Sequence, residues 1–206
     1  MARKAGNQEE RRRPAASVQP DLMTVTRPEL LAGASDAAFR AMIHSLMSYA
    51  RHIETIRDGF GKVAGLSGVQ YEVLMSTYRL QGEGGVTVSE LAKWLHLSGA
   101  FVTIETGKLT ARGLLEKTTD SRDRRRVRVR LTAAGGKTLA SLAPRQRQVN
   151  DVLFASLSPR DFQALGRILA GLLPCGERAA HLMDFILKEA GTAPFAAIWR
   201  RAGDED

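Results

Sequence analysis

The chain has 206 residues, 44% of them apolar, and carries 30 Lys+Arg against 22 Asp+Glu, a formal net charge of +8. That balance suits a globular core and excludes wholesale disorder; no apolar run reaches the roughly 18–20 residues of a membrane span, and Met1–Pro20 is polar and Arg-rich, without a signal peptide's apolar stretch. Cys175 is the single cysteine, which excludes an internal disulfide framework and a cysteine-based zinc site, so the expectation is a soluble cytoplasmic protein, off the membrane, whose positive surplus calls for an anionic partner.

Residues 1–34 hold Pro14, Pro20 and Pro28 and little periodicity, and read as a mobile arm or one ordered by a partner subunit. Ser35-Asp36 is a helix N-cap signal. Phe39, Met42, Ile43, Leu46, Met47, Ala50, Ile53 and Ile56 follow at helical spacing, and Gly59 and Gly61 are expected to end that helix. A second helix starts at Leu66-Ser67-Gly68, with Val69, Val73, Leu74 and Tyr78 inward. After a Gly82–Gly85 loop, Val86-Thr87-Val88 suits a short strand and Ser89–Leu95 a short helix on Leu91, Ala92 and Leu95. Leu97-Ser98-Gly99 is a turn. Ser98 caps a helix to about Arg112, with Val102 and Leu109 inward, and Gly113 stops it.

The period then changes to two. Leu115, Lys117 and Thr119 alternate with Leu114, Glu116 and Thr118; beyond the polar turn 120–126, Val127, Val129 and Leu131 alternate with Arg126, Arg128 and Arg130. This is a β-hairpin whose second strand is apolar on one face and basic on the other. Thr132 restarts helix, expected to run to about Leu157 with Pro144 kinking it or opening a new turn. Ser158-Pro159-Arg160-Asp161 is a compact helix start. Phe162, Leu165, Ile168, Leu169 and Leu172 form its stripe, Pro174-Cys175-Gly176 is expected to break it, and a last helix covers about 177–190. The fold class is mainly α with a small β-wing.

The charge is uneven. Residues 108–130 hold nine cations and three anions, a net +6; residues 1–13 carry +3, and 145–206 is neutral. A charge run is commonly a solvated face, but its concentration on one hairpin-like segment favours nucleic acid. Three helices between about 66 and 112 followed by a basic hairpin make a winged helix-turn-helix. The helix 98–112 has small and polar residues near its start, so its backbone can enter a major groove, where Thr103, Thr106 and Lys108 reach bases or phosphates. The hairpin tip, Asp120-Ser121-Arg122-Asp123-Arg124-Arg125, can place an arginine in the minor groove, oriented by an aspartate two residues earlier.

At these residues the chain resembles the MarR family of bacterial transcription regulators. The matching pieces are Leu66–Leu74, Val88-Ser89-Glu90-Leu91-Ala92, Ser98 through Val102-Thr103 with Leu109 and Arg112-Gly113-Leu114, the D-x-R-D-x-R wing, and Leu131-Thr132-Ala133-Ala134-Gly135. With flanking helices they cover about 35–172. The resemblance implies an obligate homodimer gripping one pseudo-palindromic duplex. It implies DNA contacts from Ser98, Gly99, Phe101, Thr103 and Lys108, a wing-tip arginine at Arg125 with Asp123 as its partner, and Arg122 and Arg124 beside them. It divides the chain into the arm 1–34, a dimerisation helix 35–62, the DNA-binding domain 63–136, C-terminal dimerisation helices 137–190 and a tail 191–206. Glu105 and Thr106 depart from the family's usual apolar or basic residues, and Gly107 sits mid-helix at a cost of about 1 kcal/mol.

The resemblance also implies a pocket for a small effector, in many relatives an aromatic acid or phenol that releases DNA. Arg40, His44, Met47 and Arg51 share one face of the first helix, with His52 beside them, and Tyr71, Met75 and Tyr78 come from the second. Cation, imidazole, thioether and phenol suit a flat anion, although each of these residues also fits a plain core or solvated role. The four histidines and single cysteine have no metal-ligand spacing, so no metal and no cofactor are expected. Cys175 reads as buried or incidental. No catalytic motif occurs, so an enzyme is not expected. The other class that fits is a ligand-independent architectural or RNA-binding winged helix.

Overall fold

The computed structural model describes residues 22–119 and 127–192. Among them are six α-helices and one small sheet: α1 (Ala37–Val63), α2 (Gly68–Leu80), β1 (Val86–Thr87), α3 (Val88–Leu95), α4 (Gly99–Ala111), β2 (Leu115–Thr119), β3 (Val127–Leu131), α5 (Ala133–Leu153) and α6 (Pro159–Glu189). The sheet is antiparallel in the order β1-β3-β2, with Leu115 opposite Leu131 and Thr119 opposite Val127. The chain divides into two compact units, 1–144 and 145–206. The boundary between them falls inside α5.

The start of α1 departs from expectation. Asp36 occupies the N-cap position but makes no side-chain cap bond; the Ala37 N–H donates to Ser35 Oγ instead. The fully buried Asp36 carboxylate accepts from Thr24 N at 2.7 Å and Thr24 Oγ1 at 2.8 Å, and pairs with Arg40 at 3.3 Å. Part of the expected arm is thereby tied down: a 3-10 turn covers Pro28–Leu30 and a bridge joins Ala32 to Ser35. A twelve-residue separation hides such a clasp from local reading.

α1 also ends later than expected, because Gly59 and Gly61 lie within it. An interior glycine costs only about 1 kcal/mol, and Gly61 has a packing reason. A Cβ there would lie 2.7 Å from the Ser67 carbonyl, where the chain folds back into α2. The actual stop is Gly65, at φ +68.

α2 is the hub of the first unit. Ser67 and Gln70 form a reciprocal capping box at its start. Tyr71 packs on Phe60 of α1 with ring centroids 5.7 Å apart, and Arg57 of α1 bonds Glu72 at 3.1 Å. Arg79 lies over the Trp94 ring of α3, and the Gln81 side chain accepts from Leu131 N of β3 at 2.8 Å. Val73, Leu74, Leu91, Val102, Leu109, Leu115, Val129 and Leu142 form the core beneath these ties. Tyr78, expected inward, is exposed. Thr87 caps α3 through a box with Glu90, so Val88 is already helical and the strand is two residues long.

The hairpin is pinned to both neighbours at its base. Gly113, at φ +70, turns the chain out of α4. The Leu114 carbonyl accepts from Thr132 N at 3.1 Å, and Thr132 Oγ1 accepts from Gly135 N at the start of α5. A Cβ on Gly135 would overlap the Leu114 carbonyl oxygen. The glycine of the L-T-x-x-G run is therefore a close-approach glycine.

In the second unit, Ser158 caps α6 in a box with Asp161, with Pro159 at the first position. The expected break at Pro174 does not occur: α6 runs unbroken for 31 residues. Cys175 Sγ reaches the Gly171 carbonyl and Arg178 reaches Cys175 Sγ at 3.1 Å, contacts one turn back and one turn on. Proline forfeits one backbone bond there, a cost of about 3 kcal/mol that the rest of the helix offsets. Cys175 is exposed, so the buried alternative for it does not hold.

Two outcomes are expected. Thr24's amide first, then its hydroxyl, holds the Asp36 carboxyl below its usual value, against burial and with help from Arg40. Its contribution is therefore complete above the unfolded value near pH 4 and is lost as pH falls through the lowered value. Thermal melts from neutral to acid pH should show an acid-limb loss that Asp36→Asn lacks; identical limbs would count against the clasp. In urea, Gly135→Ala should lose about 1–3 kcal/mol, whereas Gly136→Ala, with nothing within 4 Å of its Cβ position, should gain about 0.5–1 kcal/mol.

Candidate nucleic-acid interface

α4 is set between α2, α3 and β2, and its two faces differ in chemistry. Val102, Glu105, Thr106 and Leu109 are buried. They recur at i, i+3, i+4 and i+7, one helical stripe. Ala100, Thr103, Ile104 and Ala111 are exposed on the other side. The helix starts cleanly because Ser98 Oγ accepts from Phe101 N at 3.2 Å. His96, at φ 52, makes the sharp turn out of α3.

Each residue expected to touch DNA has a definite place. Ser98 and Gly99 are exposed at the helix start, and Phe101 is half-buried. Thr103 is exposed, with its hydroxyl donating to the Gly99 carbonyl at 2.7 Å. Thr106 does not fit the expectation. It is fully buried and its hydroxyl is bonded to the Val102 and Thr103 carbonyls. It lies four residues after Val102 and three before Leu109, so it belongs to the core stripe despite its polarity. Arg122, Asp123, Arg124 and Arg125, the wing tip, lie outside the described residues.

Lys108 is exposed but engaged. Its Nζ lies 2.8 Å from Glu105 Oε1, and Glu105, only 4% exposed, also accepts from Gln70 Nε2 at 3.2 Å. A buried carboxylate needs donors on both oxygens, and here the α2 capping residue and the helix's own lysine supply them. Glu105 is thus a structural anchor between α2 and α4. Lys117 of β2 leans toward the helix, its Nζ 3.9 Å from where a Gly107 Cβ would stand. Arg112 donates to the Gly65 carbonyl at 2.8 Å and Arg128 to the Gly85 carbonyl at 3.0 Å, so both serve the fold. Arg130 is exposed opposite Glu116.

Sequence reasoning missed Ile104. It is 56% exposed, two residues from Val102 and about 200° around the helix from it. That offset from the inward residue was the available signal.

The residues expected to hold an effector are dispersed among different roles. Arg40 is taken up by Asp36 and the Leu22 carbonyl. Tyr71 is buried against Phe60, about 24 Å further along α1 than His44 at 1.5 Å per residue. His44, Met47, Arg51 and His52 are exposed, and Met75 is half-buried. Among the described residues, no group of three His, Cys, Asp or Glu could hold a metal, and no helix is long and apolar enough to cross a membrane.

Residues 64–126 match the sequence model described as MarR family. A comparison with curated proteins finds no match. Among solved structures, a MarR transcriptional regulator from Methanosarcina mazei Go1 is 21% identical, with a TM-score of 0.57 over 68% of this chain and 99% of that one. An E. coli MarR mutant complexed with operator DNA is 19% identical, with a TM-score of 0.57 over 65% of this chain and 94% of that one. A probable transcriptional regulator from Pseudomonas aeruginosa is 25% identical, with a TM-score of 0.53 over 63% and 95%. The six described helices and the small three-stranded antiparallel sheet agree with that likeness. Residues 64–126 thus match the MarR family, and the described residues share the winged helix-turn-helix fold of solved MarR-type regulators.

Proposed function

We propose that this chain is a dimeric, ligand-responsive transcriptional regulator, acting as a repressor on a pseudo-palindromic duplex DNA and released by a small aromatic or phenolic acid. The observation that carries the reading is α4. Its outward side carries small residues around the single bulky Ile104, it lies beside Lys117, and it leads through Gly113 into a hairpin segment whose tip sequence is Asp-Ser-Arg-Asp-Arg-Arg. A helix of that form fits a major groove while the tip reaches the neighbouring minor groove. The E. coli MarR mutant complexed with operator DNA, which shares this fold, supports duplex DNA as the partner.

Apolar surface outside the core supports the dimer. Met42, Leu46, Met47 and Ile53 of α1 are exposed, and α6 has no buried residue. On α6, Phe162, Leu165, Leu169 and Leu172 step by three and four residues, and Met183 and Ile186 resume the same register after Gly176 and Ala179. That spacing is a helix-pairing seam. Two copies would set two α4 helices on half-sites about 34 Å apart, one turn of duplex. For the effector, the support is the exposed set His44, Met47, Arg51 and His52 on α1, together with the habit of the family.

The test is direct. The full chain should sediment as a dimer and shift a palindromic duplex with steep salt dependence. Arg125→Ala should bind about tenfold more weakly on every duplex and reduce the salt slope by about 1; unchanged affinity and slope would overturn the wing assignment. Benzoate and hydroxybenzoates titrated into the complex should free the DNA. Binding without palindrome preference and without release would favour an architectural or RNA-binding protein instead.

A further inference from the structure

The α4 surface that would face a groove is unusual in what it lacks. α4 contains no Arg, Asn or Gln, and Lys108 is its one basic residue. Guanine is ordinarily read by an Arg or Lys fork on O6 and N7, and adenine by Asn or Gln on N6 and N7. Lys108 is already held by Glu105. The Thr103 hydroxyl donates its proton to the Gly99 carbonyl, and Ser98 Oγ is engaged by Phe101 N. What the helix presents outward is apolar: Ile104, 56% exposed, stands between Ala100 and the small Gly107.

An isoleucine turned to solvent loses the free energy of its burial unless something covers it. Two observations point to the cover. The surroundings are cationic, with Lys117 beside Gly107 and Lys108 exposed one turn on from Ile104. Ile104 also lies on the side of α4 opposite its core stripe, the side a groove would meet. A cationic rim around a small apolar spot matches an anionic duplex with an apolar feature in its major groove. In B-DNA that feature is the thymine 5-methyl group.

We infer that Ile104 is a specificity-determining residue that packs on a thymine 5-methyl group, so that each half-site is read at this position by hydrophobic contact. The inference rests on the DNA-binding reading above and names the chemistry that it reads.

Deoxyuridine pairs as thymidine does but lacks the methyl, which makes it the probe. Full-length protein selects duplexes from a random pool, and each thymine of the selected site is then replaced singly by deoxyuridine, with affinity read by fluorescence anisotropy. One thymine per half-site should cost about fourfold on replacement, and both together about fifteenfold, the worth of one buried methyl-sized group each. Ile104→Ala should bind the thymine and uracil duplexes alike, and Ile104→Val should keep part of the difference. Both variants should keep the wild-type salt slope, and since Ile104 is 56% exposed and outside the buried stripe of α4, both should still fold and melt cooperatively. Wild type indifferent to uracil at every position, or Ile104→Ala still discriminating, overturns the inference while leaving DNA binding intact. Failure to enrich any duplex overturns the DNA-binding reading itself.

Discussion

One carbonyl oxygen, that of Leu114, joins the three working parts of the first unit. Leu114 closes the end of α4 by donating its N–H to the Leu109 carbonyl at 3.0 Å. Its own oxygen accepts from Thr132 N and Thr132 Oγ1, which shuts the base of the hairpin. Gly135 packs against that same oxygen and begins α5. A two-stranded hairpin is marginal alone. This one is held at its base and gains a third strand from β1. The direction in which the hairpin leaves α4 is thus set by a junction of three residues, two of them chosen for what they lack in bulk or supply as a hydroxyl.

The second constraint is the buried Glu105. Removing a carboxylate from water is costly unless donors meet it, and Gln70 and Lys108 do so. Gln70 also completes the capping box of α2. The start of α2, which abuts the end of α1, is therefore linked by one side chain to the middle of α4. A short polar chain, Ser67, Gln70 and Glu105, thus ties the α1–α2 turn to α4, each member hydrogen-bonded to the next.

Much of this was legible because it is local. Ser98 and Ser158 cap the helices whose starts they were expected to mark, and the change of period from 3.6 to 2 placed both wing strands. The L-T-x-x-G resemblance marked Gly135, though only the structure explains it. The failures share a cause: a single residue was weighed against a long stripe. Gly59, Gly61 and Pro174 each disfavour helix by about 1–3 kcal/mol, less than the surrounding helix recovers. Thr106 was judged by its hydroxyl when its position, in register with Val102 and Leu109, already placed it inside. Asp36 was judged as a local cap when its partner, Thr24, lay across a loop. Arg40 and Tyr71 meet different partners, Asp36 and Phe60, because helical spacing fixes a face but not what meets it.

The Glu105–Lys108 pair alters what the formal charge of this protein means. A lysine resting on a buried carboxylate already has its counterion, and that counterion is covalently part of the helix. When such a lysine meets a phosphate it exchanges one partner for another and strands a buried anion, so it brings little net release of condensed cations. The effective valence of this surface toward a polyanion is therefore smaller than its inventory of basic side chains. The reserve held in Lys108 is available only to a phosphate placed well enough to outbid a carboxylate 2.8 Å away.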